Sequence, residues 1–334
     1  MTERLSATGQ SPEISAIICT YNRADLLTKA LGAFCGQTLP AEIFEVIVID
    51  DGSVDDTRRI VEYFQRILPI RYAFQANAGL ASGKNHGLFL ARAPIILFLD
   101  DDDVADSCLL EQHCIAHRNH PRAEHAILGY TGLSLAVAKS PLMHYVTEIG
   151  CQLFSYPGLQ DGAVLDFSYF WGGRSSCKRA FLLEHGVFNP VFRFGAEDIE
   201  LGYRLSKAGL KVIYQRKAIS HMIRPLDFDA FCQRTYRQGQ SNWVFSKLHS
   251  EPEIEAWTQT NSSTAWPELA LRFDHLMVIA RHLDKFARTR ADAGLPMEAL
   301  TLKLLYQSYH RAFEANRIRG MFEKAQEGAQ CRHG

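Results

Sequence analysis

Three short, nearly continuous apolar runs, each ending on polar or acidic side chains, constrain this chain more than any other feature. Ile14–Cys19 (ISAIIC) leads into Thr20-Tyr21-Asn22-Arg23, Phe44–Ile49 (FEVIVI) into Asp50-Asp51-Gly52-Ser53, and Pro94–Leu99 (PIILFL) into Asp100–Asp103. Runs of this kind, without alternation, read as strands buried on both faces. Ile70–Phe74 reads as another strand. Between the strands lie helical patterns: Leu26, Leu27, Ala30, Leu31 and Phe34 on one face, then Ile60, Val61, Phe64 and Leu68, then Ala81–Ala91. Alternating strands and helices predict an α/β fold, an open parallel sheet with helices on both faces. Ligands of such sheets sit beyond the carboxyl ends of the strands, and both acidic clusters fall there.

From about Gly129 the rhythm loosens. Pro141–Phe170 is rich in Gly, Tyr and Pro and reads as loops and short strands, with Phe167–Phe170 strand-like. Arg179–His185 and Ile199–Ala208 read as helices, the second closed by Gly209 as its C-cap. Lys211–Gln215 reads as a strand. Leu269, Phe273, Leu276, Ala280, Leu283 and Ala287 form one helical stripe, and Leu302, Leu305, Tyr309 and Phe313 another. Gly294 and Pro296 stand between them, so the two stripes predict a helical hairpin.

Composition narrows the function classes. The 334 residues carry 36 Lys+Arg against 37 Asp+Glu, a net charge of -1, which excludes a strongly basic nucleic-acid binder. A hydrophobic content of 47% supplies a core without staples. The eight cysteines form no C-x-x-C pair and fit a reducing cytosol better than a disulfide framework. Met1–Glu13 is polar with no signal-like apolar stretch, and no apolar run approaches membrane-spanning length. The expectation is a cytoplasmic protein, at most peripheral at the inner face of a membrane.

Several groups can carry chemistry. Carboxylates at Asp50 and Asp51 can accept hydrogen bonds from a base imide or ribose hydroxyls, while Ser53 and Asp55 read equally as helix caps. The four adjacent acids Asp100–Asp103 repel one another unless water or a cation screens them, and a divalent cation bridging carboxylate to diphosphate does so. Gly195-Ala196-Glu197-Asp198 opens a helix, where the dipole favours anions and a general base stays ionised. His221, a short connection after the Lys211–Gln215 strand, is a ligand or a structural histidine in about equal measure. Asn77–Asn85 offers glycines for close backbone approach and Lys84 for a phosphate, without matching a Walker loop. Trp171-Gly172-Gly173 sets an aromatic face beside a tight turn, suited to a sugar ring or simply to the core.

In order, these motifs are C-T-Y-N-R, V-I-V-I-D-D-G-S, N-A-G-L-A-S-G-K-N, I-L-F-L-D-D-D-D and G-A-E-D-I-E-L-G-Y-R-L. Together, over about Ile14–His221, the chain resembles the family 2 glycosyltransferases of the GT-A fold. The resemblance implies a Rossmann-like, mixed but mostly parallel sheet with a C-terminal helical extension. It implies a catalytic domain at 12–225, with a nucleotide-sugar half at 12–130 and an acceptor half at 131–225, and an extension at 226–327. The implied activity is inverting, metal-dependent transfer of a sugar from a nucleotide sugar, UDP preferred, to a hydroxyl acceptor. Bacterial glycan, glycoconjugate or glycosylated-product biosynthesis is the implied setting.

By resemblance, Thr20, Tyr21, Arg23, Asp50, Asp51, Lys84, Asp100, Asp101 and Arg237 face the donor, and Asp102 with His221 holds Mn²⁺ or Mg²⁺. Asp198 is the implied base, with Glu197 the lesser candidate, and Trp171, Gly172 and Gly173 meet the acceptor. Arg174 stands where many relatives have Asn after the paired glycines. Gln240-Ser241-Asn242-Trp243 loosely resembles the Q-x-x-R-W of processive membrane synthases, with Asn242 in place of the Arg, and with no membrane span expected the enzyme reads as non-processive. The acceptor is left open among glycan, lipid-linked, protein and small-molecule classes. The C-terminal helices read as a solvated extension, a homodimer surface or a peripheral membrane contact. A sugar nucleotidyltransferase and a non-catalytic nucleotide- or glycan-binding scaffold are the competing readings.

Overall fold

A computed structural model describes residues 11–330. Most of the Met1–Glu13 stretch, Cys331 and the end of the Gly328–Gly334 tail lie outside the described residues. In chain order the elements begin β1 (Ile14–Thr20), α1 (Ala24–Phe34), β2 (Phe44–Asp50), α2 (Thr57–Phe64), β3 (Ile70–Phe74), α3 (Leu80–Leu90) and β4 (Ile95–Asp100). Then come β5 (Asp103–Ala105), α4 (Leu109–Asn119), β6 (His125–Leu133), α5 (Leu135–Ala138), α6 (Pro141–His144), β7 (Val164–Leu165) and β8 (Ser175–Lys178). The chain continues through α7 (Arg179–His185), α8 (Glu197–Ser206), β9 (Lys211–Met222), α9 (Phe228–Leu248) and α10 (Pro252–Thr258). It closes with α11 (Trp266–Ala270), α12 (Phe273–Asp292) and α13 (Ala299–Gln330).

The chain divides into two compact units. The first takes in the chain up to Leu133, Leu159–Arg193 and Glu197–Arg224; the second takes in Ser134–Gly158, Phe194–Ala196 and the chain from Pro225. The first holds a nine-stranded sheet in the order β3-β2-β1-β4-β8-β6-β9-β5, with β7 also on β9. The long ladders, β1 with β2 and β4, β2 with β3 and β6 with β9, are parallel, and the antiparallel ones are short. β1 and β2 are buried almost throughout, and the two polar residues in their apolar runs satisfy each other, Ser15 Oγ donating to Glu45 Oε1 at 2.7 Å. Ile18, Val46, Val48 and Leu97 pack with Leu27, Leu31 and Val61 in one core. Each such side chain contributes about 2 kcal/mol on burial.

The first four strands and their helices stand where the apolar pattern predicts. Downstream the structure differs. Residues 141–149 are helical, with α6 followed by a π-helical turn at Tyr145–Ile149, where loops and short strands are expected. The start signal is local: Ser140 caps α6 by accepting the Met143 N–H, and Pro141 takes the first turn. Phe167–Tyr169 is a 3₁₀ turn capped by Asp166, not a strand. β9 runs on to Met222, so His221 lies within the strand rather than after it.

In the second unit α13 lies along α9, and glycine permits the contact. A Cβ on Gly239 would come within 2.0 Å of the Arg317 carbonyl oxygen, and one on Gly320 within 2.0 Å of that of Tyr236. The α12 stripe buries Ala280 and Ala287 together with Asp284. That carboxylate accepts the Tyr309 hydroxyl at 2.7 Å and Arg288 Nε at 2.8 Å, joining α12 to α13. No helix among the described residues is long and apolar enough to cross a membrane.

Candidate active site

Parallel pairing sets the site's baseline. Thr20 stands opposite Asp50 and Cys19 opposite Asp100, so the ends of β1, β2 and β4 finish side by side. Asp50 accepts the Ser53 N–H at 2.7 Å and the Tyr72 hydroxyl at 2.8 Å. Asp51 accepts Gln75 Nε2 at 2.7 Å and the backbone N–H groups of Ala78 and Gly79, each at 2.9 Å. These acids shape the loop that leads into α3. Ser53 and Asp55, read as caps, instead clasp the loop after β1: Ser53 Oγ accepts the Asn22 N–H and Asp55 accepts the Ala24 N–H. Asp55 also accepts the Thr57 N–H at 3.1 Å, and no side chain caps α2 from its N-cap residue Asp56. Tyr21 is 48% exposed beside this clasp.

The second acidic run is screened by three arginines. Arg23 Nη1 is 2.8 Å from Asp101 Oδ1, and Thr20 donates to Asp101 Oδ2 at 2.8 Å. Arg224 Nε is 2.5 Å and Arg23 Nη1 3.8 Å from Asp102 Oδ2. Arg174 Nη2 lies 3.1 Å from Asp100 and 3.5 Å from Asp103. Burial pushes the Asp101 carboxyl up to about 6 against the pull of Arg23. It pushes Asp103 up to about 7 against the pull of Arg174. Asp103 is wholly buried, and its Oδ1 has no hydrogen-bond partner.

Among the described residues no three His, Cys, Asp or Glu side chains are grouped to hold a metal ion unaided. The donor set suits a shared cation instead. A hard divalent ion takes one or two carboxylates, keeps waters and fills its shell from a bound diphosphate. Asp102 supplies a carboxylate that both arginines approach through the same oxygen. His221 stands on β9 opposite Val104, and the Ile223 N–H donates to the Asp102 carbonyl at 2.9 Å. These residues fit a cation held jointly with a diphosphate and not a cage built by protein alone.

The paired glycines bring the acidic run to the start of α8. A Cβ on Gly173 would lie 2.1 Å from Asp100 Oδ2, and one on Gly172 3.1 Å from the Asp198 Cβ. Only glycine lets the turn pass between the two acids. Asp198 Oδ2 accepts the Gly172 N–H and its Oδ1 the Ile199 N–H, both at 2.9 Å. Burial and the neighbouring Glu197 raise the Asp198 carboxyl, and Lys84 lowers it. Lys84 is itself buried, with Nζ 3.0 Å from Glu197 Oε1. Burial works against its charge, but Glu197, Asp198 and Asp100 outweigh it and raise the ammonium.

Trp171 donates from Nε1 to the Ser168 carbonyl at 2.8 Å and stacks on Tyr169, with ring centres 5.4 Å apart. Arg237 belongs to the second unit, where its guanidinium stands 5.7 Å from the Phe194 ring centre. Sequence reasoning missed Arg224 as the partner of Asp102, and Tyr169. An Arg three residues beyond His221 was the available signal. Arg174 was visible as a departure, but its partners were not.

Residues 95–301 match the family described as Glycosyl transferase family group 2, and residues 15–124 match Glycosyl transferase family 2. The chain belongs to the family 2 glycosyltransferases, and its sheet is that of the GT-A fold. It is 34% identical over 235 residues to the Validoxylamine A glucosyltransferase of Streptomyces hygroscopicus subsp. jinggangensis (strain 5008). That match covers 64% of this chain and 56% of the relative, so the chain spans little more than half of that protein's length. Among solved structures it is similar to S. aureus TarS 1-349 in complex with UDP, with a TM-score of 0.56 at 18% identity, covering 95% of this chain and 92% of that one. It is also similar to the mannosyltransferase PcManGT from Pyrobaculum calidifontis, in complex with GDP-Man and Mn²⁺, with a TM-score of 0.57 at 17% identity over 92% and 87% of the two chains.

Proposed function

We propose that the chain transfers a glycosyl group from a nucleotide sugar, a UDP-sugar first, to a hydroxyl acceptor with inversion at the anomeric carbon. The observation that carries this reading is the Gly172–Gly173 turn, which draws Asp198 and the acidic end of β4 to one place. Asp198 takes the proton from the acceptor hydroxyl as that oxygen bonds to C1. The bond from C1 to the diphosphate oxygen breaks, and the nucleoside diphosphate leaves with its electron pair. An α-linked donor then yields a β-linked product. Bound backbone N–H groups at both oxygens hold the Asp198 carboxylate in one orientation. Asp102 and His221 would hold Mn²⁺ or Mg²⁺, which when bound would supply Lewis-acid neutralisation of the departing diphosphate. Arg23 and Arg224 offer positive charge to the same phosphates. Tyr21 faces the nucleoside, and the Trp171–Tyr169 stack offers the acceptor an aromatic floor.

The name of the Streptomyces relative supports a glucosyl donor and validoxylamine A as the first pair to try. The titles of the two structural neighbours support UDP and GDP as the nucleotides to compare. The test incubates the protein with UDP-glucose or GDP-mannose, Mn²⁺ and acceptors, and reads the product's anomeric configuration by NMR. A β product, lost about a hundredfold or more in Asp198→Asn while nucleotide binding persists, is the expected result. An α product, or turnover undiminished in Asp198→Asn, overturns it.

A further inference from the structure

The proposed base has a like-charged neighbour, and the structure separates the two. Glu197 and Asp198 are consecutive carboxylates at the start of α8. A helix N-terminus readily stabilises one anion, but two adjacent ones disfavour each other's ionisation. Glu197 is 4% exposed, its Oε1 meets Lys84 Nζ at 3.0 Å, and its Oε2 is buried without a partner. Lys84 is equally enclosed, its ammonium 5.1 Å from the Phe188 ring centre. Gly172 closes the slot, since a Cβ there would come within 2.5 Å of Nζ. Asp198 remains part-exposed and held by two backbone N–H groups.

We propose that Lys84 is a positioning residue for the transfer: its ammonium pairs with Glu197 and keeps it turned inward, leaving Asp198 as the one carboxylate that faces the acceptor. This rests on the reading of Asp198 as the base. It assigns Lys84 to the second carboxylate of the site instead of to a donor phosphate. The charged groups around Lys84 are Glu197, Asp198 and Asp100, together with Cys19. Burial pushes the Cys19 thiol up to about 12, so it stays neutral and cannot replace any of them. Without the ammonium, the second carboxylate stands uncompensated beside Asp198 and further disfavours its ionisation.

The test compares Lys84→Met, Glu197→Gln and the double variant. In Lys84→Met the acidic limb of the kcat/KM profile is expected to move up by about one pH unit, a tenfold loss of active base at a fixed acidic pH. Nucleotide affinity, read by calorimetry, stays the same. Adding Glu197→Gln removes the orphaned charge and returns the limb toward its original position, a rescue that a merely structural lysine does not allow. Glu197→Gln alone moves the limb down, which keeps the idea testable if Lys84→Met does not fold. Carbon-13 titration of the Asp198 carboxyl should follow the same pattern without any turnover. If Lys84→Met leaves the limb in place and weakens nucleotide binding tenfold, Lys84 serves the donor and the proposal is wrong. If the Asp198 carboxyl shifts while the pH profile does not, the charge coupling stands and the base assignment falls.

Discussion

Asp51 and Asp102 each follow a buried strand inside an acidic run, yet their surroundings differ in kind. Asp51 receives neutral donors, the Gln75 amide and two backbone N–H groups. Asp102 receives two arginines that are part-exposed, Arg23 at 40% and Arg224 at 32% of their side-chain surface. Neutral hydrogen bonds to backbone fix a loop. Ion pairs with part-exposed guanidinium groups are weak in water and open to exchange with a cation or a phosphate. The same sequence signature therefore meets neutral donors at one strand end and part-exposed arginines at the other, where the proposed function places cation and phosphate.

The comparison breaks most visibly at Asp102. Asp102→Ala is expected to lower turnover about a hundredfold or more and to abolish its sensitivity to EDTA, because the carboxylate proposed to hold the cation is gone. Asp51→Ala should keep its EDTA sensitivity, and equal loss of that sensitivity in both variants would erase the distinction. Next in size is Arg174→Met, which leaves Asp103 buried without its cationic partner, with only the Thr131 and Ser220 hydroxyls donating to it. Urea unfolding should show a loss of about 3 kcal/mol. Asp51→Ala should cost about 2 kcal/mol in the same assay, since two backbone N–H groups lose their acceptor. Gln75→Ala removes two part-buried side-chain hydrogen bonds, to Asp51 and His86, but no ionised group, and should cost about 1 kcal/mol. A larger loss for Gln75→Ala than for Arg174→Met would mean that the first cluster, not the second, bears the buried charge.

Much of the first unit was legible because its signals are local. An apolar run ending at Asp50 or Asp100 marks both a strand and its carboxyl end. Legibility fell where pattern gave way to capping and packing. Ser140-Pro141 signals a helix start, but the Gly- and Tyr-rich stretch after it masks the helix that follows. Asp284 interrupts the apolar stripe of α12 and is buried only because Tyr309 and Arg288 satisfy it. The acidic run Asp100–Asp103 announced a need for positive charge without saying what supplies it.

The sequence by itself determined the strands, the acids at their ends and the order of motifs that marks a family 2 glycosyltransferase, because these depend on residues close together in the chain. Tertiary structure alone decided which charge answers which. Arg174 meets Asp100 across 74 positions, Lys84 meets Glu197 across 113, and Arg224 meets Asp102 across 122. Coulomb and desolvation energies depend on distance and burial in space, and no local pattern encodes either until the sheet has brought its ends together.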